Sequence, residues 1–367
     1  MQTKILIVEG QRNIGGGQVM TRKIATVLRE QYPVSIFLPD GKSEVAEYLS
    51  DFVQYGYPMH GYTRGRKTMK DVTKFVFNFY QAFKALKRCV LDADISLIYV
   101  QAPALLPVAA LVGKQTGRDV VAHLHVVHSD RKSLRLLNHF LSYEAVKKIV
   151  GVSGYALTQL TKRNQAKSAI LYNCVEFDPL QIPKQVETEN KISIIADIIP
   201  DKGQHIAIEA LDRYTQNTPE LIIIGKVVDA EYSERLKSNY SKLKFTGQVS
   251  NVPDWIKHSS LVLIPSQSFF ETFSLSMVEA WAMGVPTIAS DIGGMKELVE
   301  NFMPQYAKHL LFEKGSSRNL AIKIDELLND KKLYNEISAE TIEVVRRNFT
   351  IGIFRKNLLE IINDVTK

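Results

Sequence analysis

The chain alternates between short, unbroken apolar runs and longer segments in which apolar positions recur every three or four residues. It opens with the run "KILIVEG", passes through a glycine loop, "NIGGGQ", into the helix-like "VMTRKIATVLREQ", and reaches a second run, "VSIFLPD". Further runs follow at "ISLIYVQ", "DVVAHLH", "KKIVGVS" and "SAILYN". Continuous apolar runs of this length mark strands covered on both faces, and the amphipathic segments between them supply the cover, so the pattern predicts a doubly wound parallel sheet. The rhythm breaks at "PLQIPKQVETENK", residues 179–191, which is polar, carries two prolines and has no apolar period, as an interdomain linker would. It restarts with "KISIIAD", the helix-like "GQHIAIEALDRYT", and the runs "ELIIIGK", "KLKFTGQV", "SLVLIPS" and "PTIAS". Two α/β domains, 1–183 and 184–345, are expected, with ligands at the carboxyl ends of their strands and the two sheets facing one cleft.

Length and composition agree with that division. At 367 residues the chain exceeds one ordinary core, and 45% hydrophobic with 23% charged residues is ordinary globular usage, which excludes disordered, collagen-like and coiled-coil classes. The opening "MQTKILIVEG" lacks the apolar core and cleavage site of a signal peptide, and no apolar run approaches a bilayer span, so a cytoplasmic location is expected. Cys89 and Cys174 stand far apart without neighbouring ligands, which suggests neither a disulfide framework nor zinc. Charge is uneven: residues 1–185 hold 25 Lys+Arg against 14 Asp+Glu, and residues 186–367 hold 21 against 25. The first half is therefore expected to meet something anionic. No nucleic-acid-binding motif is present, which leaves lipid headgroups and phosphorylated acceptors as the partners in view.

The most informative stretch is Phe269–Gly294, "FFETFSLSMVEAWAMGVPTIASDIGG". It sets Glu271 and Glu279 eight positions apart among residues that otherwise belong in a core, and carboxylates rarely go there without a partner or a task. Glu271 falls in the loop after the run "SLVLIPS". A helix is predicted from Ser274, with Glu279 inside it and the N–H groups of its first turn, around Phe273, Ser274 and Leu275, available to a phosphate or a sugar oxygen.

This segment resembles the E-x7-E signature of family 4 retaining glycosyltransferases of the GT-B fold. The resemblance rests on Pro265, Ser266, Glu271, Phe273, Leu275, Glu279, Ala280, Gly284, Val285, Pro286, Ser290, Gly293, Gly294 and Glu297, and extends through "GGGQ", "VSGYALTQL", "YNCVEFD", "PDKGQHIAIEAL" and "FTGQVSNVPDWIKHSSLVLIPS". It implies two Rossmann-like domains around a cleft, with residues 346–367 a helix crossing back to the first domain. It also implies a metal-independent, retaining transfer of sugar from a nucleotide-diphosphate sugar, with a UDP-sugar the leading donor and no cofactor or metal. The acceptor would be a glycan or a lipid-linked molecule of surface polysaccharide or glycoconjugate synthesis.

Residue by residue, the resemblance gives Glu271 the donor sugar and Glu279 the ribose, with Phe273, Ser274 and Leu275 beside the donor. A carboxylate suits the first role because it accepts two hydroxyl hydrogen bonds and favours the positive charge of an oxocarbenium-like transition state. A departing diphosphate needs cations, and the family supplies an Arg and a Lys; here Lys202 and Gly203 match, but Asp197 stands in the arginine position. Lys226 or Arg12 would then have to substitute, or the chain is a degenerate glycan-binding or partner subunit. Gly16 and Gly17 would bring backbone N–H groups to the donor; a dinucleotide fingerprint would require glycine at position 20, which is Met20. His125, with His123 as second choice, is implied to lie beside the reacting sugars. The triplet "DAD" at 92–94 is read as a helix-to-strand turn.

Residues 64–88, "RGRKTMKDVTKFVFNFYQAFKALKR", form a basic amphipathic segment with Val72, Phe75, Val76, Phe79, Ala82, Phe83 and Leu86 on one face. Such a helix can pack on the sheet, or lie on an anionic membrane surface and hold the enzyme at the inner face of the cell membrane.

Overall fold

The computed structural model describes residues 2–61, 69–176, 190–213, 219–240, 242–249 and 251–366. The chain divides into two compact units, Met1–Leu171 with Arg355–Lys367, and Tyr172–Phe354. The boundary expected at 183/184, and most of the linker expected at 179–191, lie outside the described residues. The other expected boundary, 345/346, falls within the helix Lys331–Asn348, and the units part at 354/355.

The first unit holds seven strands: β1 (Ile5–Val8), β2 (Val34–Pro39), β3 (Val53–Tyr57), β4 (Leu97–Val100), β5 (Asp119–Leu124), β6 (Val146–Gly151) and β7 (Ser168–Ile170). They form one parallel sheet in the order β3-β2-β1-β4-β5-β6-β7, with Ile5 opposite both Val34 and Leu97. Every side chain of β1 is fully buried, as a central strand covered on both faces requires. The sequence pattern missed β3. It is an edge strand whose Val53 is 61% exposed, so it carries no continuous apolar run.

Helices Met69–Asp92, Leu106–Thr116 and Arg131–Leu141 cover one face, contributing Leu86, Val90, Val108, Val112, Leu137 and Leu141 to a core shared with Leu6, Ile98 and Val120. Leu106–Thr116 has Pro107 in its first turn and stops at Gly117, whose φ is +68°, the usual asymmetry of helix ends. Arg131–Leu141 starts at Asp130, whose carboxylate accepts from the N–H groups of Lys132 at 3.1 Å and Ser133 at 2.8 Å. The carboxyl-terminal helix Ile351–Thr366 is tied into this unit by Tyr32, which donates to Asn363 at 2.6 Å, and by the Lys148–Asp364 ion pair at 3.3 Å.

The basic amphipathic segment is helical from Met69 onward, while residues 64–68 lie outside the described residues. Its expected apolar face splits. Phe79, Ala82, Phe83 and Leu86 pack on the core, whereas Phe75 is 55% and Val76 62% exposed. The triplet 92–94 ends this helix and turns the chain into β4, with Asp94 at φ +50° and paired to Arg118 at 2.9 Å.

The second unit holds β8 (Lys191–Ile195), β9 (Glu220–Ile224), β10 (Leu243–Gly247), β11 (Leu261–Ile264), β12 (Thr287–Ser290) and β13 (Leu311–Phe312), a parallel sheet in the order β10-β9-β8-β11-β12-β13. Its largest buried side chain, Trp281, satisfies its one polar atom by donating from Nε1 to Thr287 Oγ1 at 2.8 Å. In both sheets the strand order reverses beside the first strand, between β1 and β4 and between β8 and β11. Chains leaving the carboxyl ends of two such strands diverge to opposite faces and open a crevice, where ligands of doubly wound sheets bind.

Candidate active site

In the second unit two loops meet at this switch point. The loop after β8 makes a short turn, Pro200–Lys202, and passes through Gly203 at φ +71° into the helix Gln204–Asp212. A Cβ on Gly203 would lie 1.9 Å from the carbonyl oxygen of Pro265, so only glycine lets the two loops approach this closely. The backbone then stitches them together: Gln267 N–H donates to Asp201 O at 2.7 Å, and Ser266 Oγ donates to the same oxygen at 3.3 Å.

The loop after β11 carries Glu271. It is held from behind by the helix Gly293–Phe302, whose Gly294 N–H donates to Glu271 O at 2.9 Å; a Cβ there would lie 1.8 Å from Thr272 O. So fixed, the Glu271 carboxylate accepts from Lys202 Nζ at 2.5 Å. Both side chains are mostly buried, 19% exposed for Glu271 and 30% for Lys202, and both line a cavity of about 30 Å³ with Ala196, Pro265, Ser274 and Ser276. Ser274 caps the helix Leu275–Ala282, its Oγ accepting from Met277 N–H at 3.3 Å, and Ser276 Oγ donates to Ile195 O at 3.0 Å. An ammonium and a carboxylate at the wall of a small polar cavity can bind an anion and a polyhydroxyl group side by side.

In the first unit, the loop after β1 turns on a buried carboxylate. Glu9 is 2% exposed, and its oxygens accept from Gly10 N–H at 2.8 Å, Gln11 N–H at 3.0 Å, Gln18 Nε2 at 3.4 Å and Thr21 Oγ1 at 2.8 Å. Those bonds fix the start of the helix Gly16–Arg29. Gly17, Glu9, Gln101 and His125 all line one cavity of about 700 Å³, the size of an ordinary small-molecule site. His125 follows β5, is half-buried, and is hydrogen-bonded through Nε2 to Gln101 Oε1. Its ring lies 4.2 Å from that of His123, which is 1% exposed and shares a 3.0 Å hydrogen bond with the Tyr99 hydroxyl. Burial holds both imidazoles in the neutral form: it lowers His125 from 6.5 to about 4, and lowers His123 well below 6.5, helped by the neighbouring His125.

Two family models together take in nearly the whole chain. The one described as Glycosyltransferase Family 4 matches residues 14–178, and the one described as Glycosyl transferases group 1 matches residues 179–344. The chain belongs to the family 4 glycosyltransferases. Among curated relatives it is 30% identical over 199 residues to an uncharacterized glycosyltransferase of Methanocaldococcus jannaschii, covering 53% of this chain and 54% of that one. It is 31% identical over 189 residues to N-acetyl-alpha-D-glucosaminyl L-malate synthase of Bacillus anthracis, covering 51% of this chain and 46% of that one. The chain thus spans about half the length of these first relatives. Among solved structures it is similar to Anabaena HepE in complex with UDP and glucose, at 20% identity and a TM-score of 0.78 over 98% of this chain and 99% of that one. A glycosyltransferase from Rickettsia africae gives 20% identity and 0.80 over 100% and 99%. These likenesses give this glycosyltransferase its fold, GT-B.

Within that fold the residues singled out from sequence fall in two groups. Lys202, Glu271 and Ser274 converge on the cavity of the second unit, while Gly17 and His125 line that of the first and Gly16 begins the neighbouring helix. Leu275 opens its helix, and Glu279 lies partly buried one turn further on. The Phe273 ring turns away into aromatic packing with Tyr172 at 6.2 Å and Phe349 at 6.0 Å. Asp197 is exposed, and its successor Ile198 donates its N–H to Lys226 O at 2.9 Å, so the Lys226 backbone runs beside it. Arg12 is occupied in the first unit, donating from Nη2 to Asp40 O at 2.7 Å and Met59 O at 3.5 Å. Sequence reasoning missed Glu9 and Gln101. The one available signal was a lone carboxylate or amide at the carboxyl end of an otherwise apolar strand. Among the described residues no group of three or more His, Cys, Asp or Glu could hold a metal ion, and no helix is long and apolar enough to cross a membrane.

Proposed function

We propose that this protein is a retaining, metal-independent hexosyltransferase that moves a sugar from a nucleotide-diphosphate sugar, a UDP-sugar in the first instance, to a glycan or lipid-linked acceptor of surface-glycan or glycoconjugate synthesis. The observation that carries the reading is the Lys202–Glu271 pair at the switch point of the second sheet. Glu271 would accept donor-sugar hydroxyls, and Lys202 would neutralise the departing diphosphate, a stabilisation worth most in a partly desolvated site. Glu279, on the following helix, would take the ribose. Ser274, Leu275 and the backbone of Phe273 would lie against the sugar and phosphates, with Gly16 and Gly17 contributing N–H groups from the first unit and His125 acting beside the reacting carbon in its neutral form. Lys226 is the cation best placed to answer Asp197, since its backbone adjoins Ile198.

The choice of uridine is supported by HepE, which was solved with UDP, with UDP and glucose, and with UDP-glucose. The exposed Phe75 and Val76 on a basic helix support contact with an anionic membrane surface, which would place the enzyme on the cytoplasmic face. The test of donor binding is thermal unfolding with UDP, GDP or ADP at equal concentration. UDP raises the midpoint, as any ligand of the folded state must, and the rise is lost in Lys202→Ala. Equal indifference to all three nucleotides would contradict the reading.

A further inference from the structure

The cavity of the first unit is more apolar than an acceptor made only of sugar requires. Beyond its polar end at Glu9, Gln101 and His125 it is lined by Ala104, Leu106, Leu136 and Phe75. Leu136 and Phe75 are 53% and 55% exposed, although each belongs to a helix whose other apolar residues are buried. Exposed large apolar side chains that line a cavity mark a surface completed by something else. At the polar end, Gln101 is 5% exposed and its Nε2 is buried without a hydrogen-bond partner among the described residues. A buried amide donor left unpaired is costly, and an oxygen of a bound molecule would satisfy it.

Charge adds the third element. The helix Arg131–Leu141, which supplies Leu136 to the cavity, also carries Arg131, Lys132 and Arg135, all exposed and in no ion pair among the described residues. Polar end, apolar wall and free cations along one helix match three parts of a single ligand class.

We infer that this cavity binds a lipid phosphate acceptor: its hydroxyl-bearing end meets Gln101 and His125, its phosphate meets the cations of helix Arg131–Leu141, and the start of its hydrocarbon chain lies between Leu136 and Phe75. The inference rests on reading the first unit as the acceptor side, and it selects the lipid-linked class over a free glycan. The hydrocarbon would leave water for the apolar wall, and the two exposed side chains would be covered by it.

Farnesyl phosphate, kept below its micelle concentration, is a suitable probe for calorimetric titration of the whole chain. Saturable one-to-one binding with a negative heat-capacity change is expected, weakened about tenfold or more by Leu136→Asp and by Phe75→Asp, and unaffected by equal inorganic phosphate. Both positions are exposed, so unchanged unfolding midpoints will show that the variants fold. Absence of binding, equal binding by both variants, displacement by inorganic phosphate, or association only with phosphatidylglycerol vesicles would each overturn the inference. Donor turnover measured alongside separates the two readings. Turnover without farnesyl phosphate binding removes only the lipid site, and binding without turnover removes only the transferase.

Discussion

Lys202 and Glu271 are 69 residues apart in sequence, and their side chains meet at 2.5 Å across the switch point of the second sheet. Each neutralises the other in a position only partly reached by water. The pair therefore keeps both charges poised where sugar hydroxyls and phosphate oxygens would replace them. Substitution of either should act on catalysis far more than on folding. Lys202→Ala and Glu271→Gln are expected to lower kcat/KM about a hundredfold or more, with unfolding free energy changed by less than about 2 kcal/mol, because the remaining partner keeps access to solvent. Steady-state kinetics beside denaturant unfolding checks both parts, and a large stability loss with modest kinetic loss would reassign the pair to structure.

Asp197 offers a gain-of-function test. It is exposed beside Lys226 at the position where the family resemblance implies arginine. Asp197→Arg should tighten nucleotide-diphosphate binding several-fold by replacing repulsion with attraction, and Lys226→Ala should weaken it. Competition titration with UDP measures both, and the effect of each should shrink as salt rises.

Gly203 is tested by stability. Its φ of +71° and the 1.9 Å separation between a Cβ and Pro265 O mean that Gly203→Ala must both strain the backbone and push the two loops apart. A loss of about 2 kcal/mol or more is expected in urea unfolding, accompanied by weaker donor binding because Lys202 moves with the turn. Gly117→Ala, strained alone with nothing within 4 Å of its Cβ, should cost less and leave donor binding intact.

The paired imidazoles make stability pH-dependent. His125 stays neutral in the fold down to about pH 4, and His123 lower still, whereas both take up protons near 6.5 when unfolded. The unfolded chain therefore binds more protons between about pH 6.5 and 4, and stability falls as pH falls through that window. Each imidazole contributes up to about 1.4 kcal/mol per pH unit. Urea midpoints from pH 7 to 4.5 should show the decline, with a shallower slope in His125→Gln. An identical slope in that variant would mean that His125 titrates normally.

Much of this fold was legible because its strands are buried on both faces and so are written as unbroken apolar runs, from Ile5–Val8 to Thr287–Ser290. The strands that escaped are those with the least burial or length: Val53–Tyr57 at an edge, and Leu311–Phe312, only two residues long. The site was legible one residue at a time. Lys202 and Glu271 each read as a polar residue at the end of its own strand, but their meeting depends on β8 and β11 being neighbours, which local pattern does not encode. Glu9 escaped for a related reason. Its importance lies in four donors drawn from the next twelve residues, and no periodicity marks a carboxylate that serves the backbone behind it. The helix from Met69 read as a single amphipathic face, and packing divides that face into a buried end and an exposed one that borders a cavity.

The central claim is that the Lys202–Glu271 site turns over a nucleotide-diphosphate sugar. The most direct measurement is release of nucleotide diphosphate from a panel of UDP-, GDP- and ADP-sugars by the wild-type chain beside Glu271→Gln and Lys202→Ala. The account predicts release from at least one UDP-sugar, slow without acceptor and abolished in both variants. No release from any donor, or release that persists at the wild-type rate in both variants, would contradict it.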